Sequence, residues 1–316
     1  MRFPLLAVLS APFAESSARV IESLSLVAVG QNLISVIQLG SIDYATGLGL
    51  QQKLVDLRKE DRIGDVLLLL EHTPVITLGR NAKARNVLAS PDQLANRGVE
   101  VFECDRGGDV TFHGPGQLVG YPIFDLRTLA SQDGKRKTLG AVEFVRRLEE
   151  VLIHTCADFG VPTNRIADLT GVWTHPLSSA QQSQSGVNIT RRSTANETQV
   201  GSGEVAKIAA IGVHISRGIT SHGFALNVNT DLDYFKLIVP CGITSKPVTS
   251  LARERGHPLS LKEIADSISR NFGAVFRTPV VTTESLDAVL GHSVGVPLKP
   301  PAELRDLHKE EDIFWA

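Results

Sequence analysis

Three cysteines in 316 residues, Cys104, Cys156 and Cys241, are too few and too scattered to build a disulfide scaffold, and no CxxC pair suggests a zinc site. That scarcity points to a reducing compartment and leaves a thiol free for chemistry. No apolar run approaches the roughly 20 residues of a membrane-crossing helix. Neither sign of charge dominates: the formal net charge is -2 and the isoelectric point is about 6.5. A nucleic-acid or membrane partner therefore has no global electrostatic basis, and neither is expected; no metal is expected either. Internal repeats of the kind that build solenoids are also missing. What remains is 42% hydrophobic and 21% charged, the composition of a folded domain long enough to bury a sizeable core.

The pattern along the chain alternates between strand and helix signals. ISVIQLG at 34–40 predicts a strand and the following segment at 43–64 a helix, with Leu48, Leu50, Leu54 and Leu57 near one face. VLLLLEH at 66–72 is a nearly continuous apolar strand, which requires a sheet covered on both sides. The run 139–160 predicts a helix whose Val142, Val145, Leu148, Leu152 and Cys156 recur at three- or four-residue steps, so Cys156 is read as core. Strands at 207–218 and 224–229 and a helix at 261–276 complete an α/β pattern. Three segments stand apart: an N-terminal extension at 1–33 that is a candidate targeting segment, a Ser/Gln-rich flexible insertion at 175–204, and a polar C-terminal extension at 286–316.

The remaining question of chemistry falls on LIVPCGIT at 237–244. Pro240 restricts the approach to Cys241 and Gly242 removes bulk after it, a turn that suits either a packed thiol or an exposed nucleophile. Lys207, which opens the apolar run KIAAIG, could pair with a thiolate or could be an ordinary strand-end lysine. His113 and His222 compete with it as the activating base, and each also fits pocket shaping or structural hydrogen bonding.

Several ordered blocks, RGGDVTFHGPGQLVGYPIFDL, DLTGVW, KIAAIGV, SHGFALNVNTDLDYF and IVPCGI, together resemble the lipoyl(octanoyl) transferases of lipoate biosynthesis over about 34–285. The resemblance implies a catalytic domain with the mixed-sheet α/β fold of the biotin and lipoate protein ligases. It also implies that Cys241 is the nucleophile and that Lys207 lowers its effective pKa. By the same resemblance three segments contact the acyl substrate. The first comprises Arg106, Gly107, Gly108, Asp109, Val110, Thr111, Phe112 and His113; the second Ala210, Ile211 and Gly212; the third Gly223, Phe224 and Ala225. Among these, Val110, Phe112 and Phe224 are candidates to line an apolar groove, with core packing as the competing reading.

The family's reaction moves an octanoyl group from acyl carrier protein to a lysine of an apo-lipoyl domain. No tightly bound cofactor is implied, because the octanoyl-phosphopantetheine arm arrives on octanoyl-acyl carrier protein as an activated thioester. The implied acceptors are lipoyl domains of 2-oxoacid dehydrogenase complexes and the glycine cleavage H protein. Alternatives are a cysteine-dependent acyl thioesterase, an ATP-dependent lipoate ligase, and an inactive lipoyl-domain-binding adaptor. Eukaryote-like extensions and the insertion add the expectation of a mitochondrial location.

Overall fold

The computed structural model describes residues 33–131, 138–174, 205–240 and 246–283. The insertion at 175–204, the C-terminal extension and all but Leu33 of the N-terminal extension lie outside the described residues, as does Cys241. An eight-stranded sheet is built from β1 (Ile34–Ile42), β2 (Asp65–His72), β6 (Gln117–Ile123), β7 (Thr163–Ile166), β8 (Leu169–Thr174), β9 (Lys207–Ser216), β10 (Ile219–Asn227) and β11 (Val280–Thr283). Its order is β11-β1-β2-β6-β10-β9-β8-β7. The pairs β11/β1 and β1/β2 are parallel and the rest antiparallel, so the sheet is mixed.

Two-residue alternation distributes β2 between two cores. Leu67 and Leu69 enter the cluster under α3 (Ala141–Asp158) and α5 (Leu261–Phe276). Val66, Leu68 and Leu70 enter the cluster under α1 (Tyr44–Lys59), with Leu50 and Leu54. Both faces are covered, as the continuous apolar run requires. Asp43 caps α1 by accepting from Thr46 N–H at 2.8 Å, and Ser260 caps α5 by accepting from Glu263 N–H at 3.3 Å.

In α3 the expected apolar face shifts. Leu148, Leu152 and Cys156 are fully buried, whereas Val142 is 75% exposed and Phe144 is buried in its place. The reason is rotation: at about 100° per residue, two successive three-residue steps back from Leu148 carry Val142 some 120° off the face, while the four-residue step to Phe144 stays on it. Phe144 joins Phe124, Phe272 and Phe276 in an edge-to-face aromatic group with Phe124 at its centre.

A second sheet, ordered β4-β3-β5, consists of β3 (Val75–Leu78), β4 (Glu100–Glu103) and β5 (Val110–His113). The short helix α2 (Pro91–Asn96) carries a reciprocal cap between Ser90 and Gln93 and packs Leu94 on this sheet's core with Ile76, Val110, Phe112 and Phe235. The short helix α4 (Leu251–Arg255) ends on Gly256 in the left-handed conformation.

Phe144→Ala is expected to lower the unfolding free energy by about 3–5 kcal/mol. Val142→Ala is expected to change it by less than about 0.5 kcal/mol. Denaturant titration of the two variants checks the corrected helix face.

Candidate active site

The two sheets meet where β5 and the loop before it lie against β9 and β10. Along β5, Val110 and Phe112 turn into the smaller sheet's core, while Thr111 and His113 face the opposite way. There they border a cleft with about 450 Å³ of empty space. Ala210, Ile211 and Gly212 of β9 form one wall, His222, Gly223, Phe224 and Ala225 of β10 another, and Tyr44, Arg106, Val119 and Tyr121 close it. Residues from all three segments marked in the sequence therefore converge. Phe224 is on the cleft, but Val110 and Phe112 are packed in the core beside it.

The rest of the first segment holds the backbone. Gly107 N–H donates to Val213 O at 3.1 Å, and a Cβ on Gly212 would stand 2.6 Å from Gly107 O, so this close approach needs glycine. Gly108 adopts φ +91° and its carbonyl accepts from Asn81 N–H at 3.0 Å. Asp109 accepts from Asn86 Nδ2 at 2.6 Å and from Lys83 N–H at 3.2 Å, which ties down the neighbouring loop rather than facing the cleft. Arg106 is buried against neutral oxygens: Nη2 donates to Thr77 O at 2.6 Å and Nη1 to Gly107 O at 3.0 Å.

Two buried histidines have assigned tautomers. His72 Nδ1 lies 3.0 Å from Ile42 O and carries the proton, so Nε2 accepts from Tyr121 Oη at 2.7 Å. His113 Nδ1 donates to Gln117 Oε1 at 2.7 Å, and Gln117 Nε2 donates onward to Phe112 O and Asn227 Oδ1. Burial pushes His72 down to about 4. Burial, followed by the field of His72, pushes His113 down to about 3. Burial also lowers His222, against the opposing effect of Asp105, whose carboxylate lies 2.7 Å from His222 Nε2. Groups that bind a proton only well below neutrality, as His72 and His113 do, are weak general bases at pH 7.

Lys207 stands at the start of β9, 8% exposed, with Nζ 4.7 Å from the Trp173 ring centroid. Gly171, at φ +119°, lies beside it: a Cβ there would clash with Ala209 O at 2.7 Å and touch Lys207 Cε at an ordinary 3.4 Å. Gly171 N–H donates to Glu149 Oε1 at 3.1 Å, and the buried Glu149 carboxylate is paired with Arg146 and Arg165. The backbone of Lys207 is fixed by Pro247 O at 2.8 Å and Thr249 N–H at 2.9 Å. Val239, two residues before Cys241, is fixed to Asn86 O at 2.7 Å. Of the other thiols, Cys156 is fully buried, which raises it to about 12, and Cys104 is half-buried with Sγ donating to Leu78 O.

Comparison with known proteins places this architecture. Residues 43–273 match the lipoyl protein ligase A/B catalytic domain. An octanoyltransferase of Koribacter versatilis is 55% identical over 279 residues, 88% of this chain and 98% of that protein. The chain belongs to the octanoyltransferase family. An octanoyltransferase of Acidobacterium capsulatum is likewise 55% identical, over 80% of this chain and 94% of that protein. In fold, the chain resembles a bipartite lipoate protein ligase solved with its E2 lipoyl domain from Thermoplasma acidophilum. That match has a TM-score of 0.54 and 14% identity, covering 86% of this chain and 91% of the other. This lipoate-ligase likeness agrees with the fold class expected from the sequence.

Tyr44, His72, Tyr121, Gly171 and Trp173 escaped the sequence reading. A signal existed for the tyrosines, since the chain has only three and two of them border the cleft. DLTGVW was visible as a block but carried no role until Gly171 and Trp173 were seen around Lys207.

The depressed histidines set an acid limit on stability. An unfolded histidine binds its proton below about pH 6.5, whereas folded His72 and His113 resist it until about 4 and about 3. Below pH 6.5 the unfolded state therefore holds more protons, and stability falls with falling pH, by about 2 kcal/mol per histidine at pH 5. Urea unfolding at pH 7.5 and pH 5 checks the sign, and His72→Gln should flatten the slope.

Proposed function

We propose that this chain transfers an octanoyl group from octanoyl-acyl carrier protein to a lysine of apo-lipoyl domains, using Cys241 as the transient carrier. The observation that carries this reading is the 55% identity to octanoyltransferases over nearly their whole length. Lys207, buried beside Trp173 at the start of a wall of the cleft, supports it.

Cys241 as thiolate adds to the thioester carbonyl, and the carbon–sulfur bond to the carrier breaks, releasing the phosphopantetheine thiol after protonation. The acceptor amine then adds to the enzyme thioester, loses a proton as the amide forms, and expels the Cys241 sulfur. Lys207 stabilises the thiolate as a cation and relays the proton in each half. His113 and His222 are poor candidates for that work, because burial disfavours their protonated forms. They shape the cleft instead. The arriving thioester supplies the activation that a ligase takes from ATP, so no nucleotide enters the cycle. Phe224, Ile211 and Val119 offer apolar surface to the chain, at roughly 0.8 kcal/mol per methylene buried.

The acceptors under this proposal are the lipoyl domains of 2-oxoacid dehydrogenase complexes and the glycine cleavage H protein. A mitochondrial location is a separate proposal that rests on the terminal extensions and the insertion; the two octanoyltransferases compared above are bacterial. Imaging that excludes the tagged, untruncated protein from mitochondria overturns it.

Intact mass spectrometry with octanoyl-acyl carrier protein and an apo-lipoyl domain, without ATP, should show an octanoyl adduct on the enzyme and then on the acceptor. Cys241→Ser should abolish both productive steps; free octanoate without acceptor modification points to a thioesterase, and binding without product to an adaptor. Lys207→Ala should slow acyl-enzyme formation by roughly a hundredfold or more. Gly171→Ala, which sets a Cβ against Ala209 O beside Lys207 at a positive φ, should slow it by roughly ten- to a hundredfold with Cys241 intact, as read by single-turnover kinetics.

A further inference from the structure

Behind the acyl cleft lies a second cavity with about 560 Å³ of empty space, set between α1 and the β9–β10 hairpin. It is polar where the first is apolar, bordered by Gln51, Gln52, Lys59, Asp105, His214 and Ser221. His222 borders both cavities.

The imidazole is held from several sides. His222 is 3% exposed and adopts φ +55°, a left-handed conformation uncommon for a residue with a side chain. Its N–H donates to Gln51 Oε1 at 2.7 Å, and its Nε2 lies 2.7 Å from Asp105 Oδ1. The Tyr121 ring meets it edge to face at a centroid distance of 6.4 Å. Asp105 is itself anchored by His214 Nδ1, 3.4 Å from its Oδ2. An arrangement that keeps a non-glycine residue in this conformation with two short side-chain contacts fixes the ring rather than leaving it to swing.

Its position along the cleft gives the ring a use. On the β9–β10 ladder Ala210 faces Ala225 and Val213 faces His222, three positions further from Lys207. At about 3.3 Å per residue that interval is about 10 Å. An extended octanoyl chain, with carbons about 1.25 Å apart along its axis from ordinary bond lengths and angles, spans about 9 Å. The Lys207 ammonium reaches forward along β9: a Cβ on Gly171 would lie 3.7 Å from its Nζ and 2.7 Å from Ala209 O. With the reacting carbonyl beside that ammonium, level with Ala210, the eighth carbon comes up against His222.

We propose that His222 is the end wall of the acyl cleft, the specificity-determining residue that sets chain length, with Asp105 and Gln51 as the positioning residues that keep it closed. This rests on the acyl-transfer reading above. Without the imidazole, the cleft opens into the polar cavity and a longer chain threads through instead of folding back.

The test compares kcat/KM for octanoyl- and dodecanoyl-acyl carrier protein on the full chain. Wild type should prefer octanoyl, since a single methylene that does not fit costs about tenfold or more. His222→Gly, which also suits the local φ, should reduce that preference by at least about tenfold, through recovery of dodecanoyl transfer. Asp105→Ala and Gln51→Ala, which loosen the ring without removing it, should reduce it by a smaller factor. A folded His222→Gly with the wild-type ratio overturns the wall, and where that variant does not fold, an unchanged ratio in both positioning variants does so. Failure of wild type to transfer octanoyl at all overturns the underlying function instead, so the two failures are distinguishable.

Discussion

The site depends on a buried guanidinium. Arg106 is inserted between the two sheets and satisfied by the Thr77 carbonyl and hydroxyl and by Gly107 O, all uncharged. Removing water from such a charge is costly unless its donors are met, and four hydrogen bonds from a planar fork meet that need. The same bonds lock the loop carrying Asp105 to Asp109 onto β3. That loop in turn puts Gly107 against Val213, brings Asp105 to His222 and directs β5 so that Thr111 and His113 face the cleft. Arg106 also contributes a fixed positive field that, after burial, helps keep His113 and His222 neutral. Neutral rings are better company for an alkyl chain than imidazolium would be, so one buried charge serves both the shape and the polarity of the cleft.

Close backbone approach is the second constraint. Gly120 and Gly223 sit where β6 and β10 pair; a Cβ on Gly223 would come within 2.6 Å of Pro122 Cδ, and on Gly120 it would enter the Phe224 ring. Phe224 occupies the room that Gly120 leaves, so the apolar lining is the complement of a missing side chain on the next strand. Gly171 plays the corresponding part for the Ala209 carbonyl beside Lys207. Side-chain identity at the site is thus written partly as absences on neighbouring strands.

This explains what the sequence disclosed and what it withheld. The central sheet was legible because VLLLLEH has to be covered on both faces, and Cys156 was legible because it continues the four-residue spacing of Leu148 and Leu152. The segments that line the cleft were legible only as blocks, through resemblance, since nothing local to Ala210 or Ala225 states that they face one another. Periodicity failed at Val142, where counting steps without the accumulated rotation placed an exposed valine on the core face. Val110 and Phe112 were candidates for the groove because they flank the segments marked by the resemblance, and strand alternation settles them on the competing reading, core packing. Tyr44, His72 and Tyr121 come from three separate elements, and their bonds and ring contacts arise only after folding.

The insertion at 175–204 raises a sharper physical question, because it sits immediately before Lys207. Its neck answers part of that question. Thr174 N–H donates to Ala206 O at 2.9 Å, and Ala206 N–H donates back to Thr174 Oγ1 at 3.0 Å. The two ends of the interrupted chain are therefore bonded to each other one residue before Lys207, and Lys207 is itself bonded to Pro247 and Thr249. Beyond a closed neck, added length costs only a slowly growing loop entropy, about 0.6 kcal/mol for each doubling. That small cost falls on the stability of the neck, while among the described residues Trp173 and the strand ladder hold Lys207. Among the described residues the lysine takes its position from lateral neighbours, and an insertion at this point is compatible with that placement.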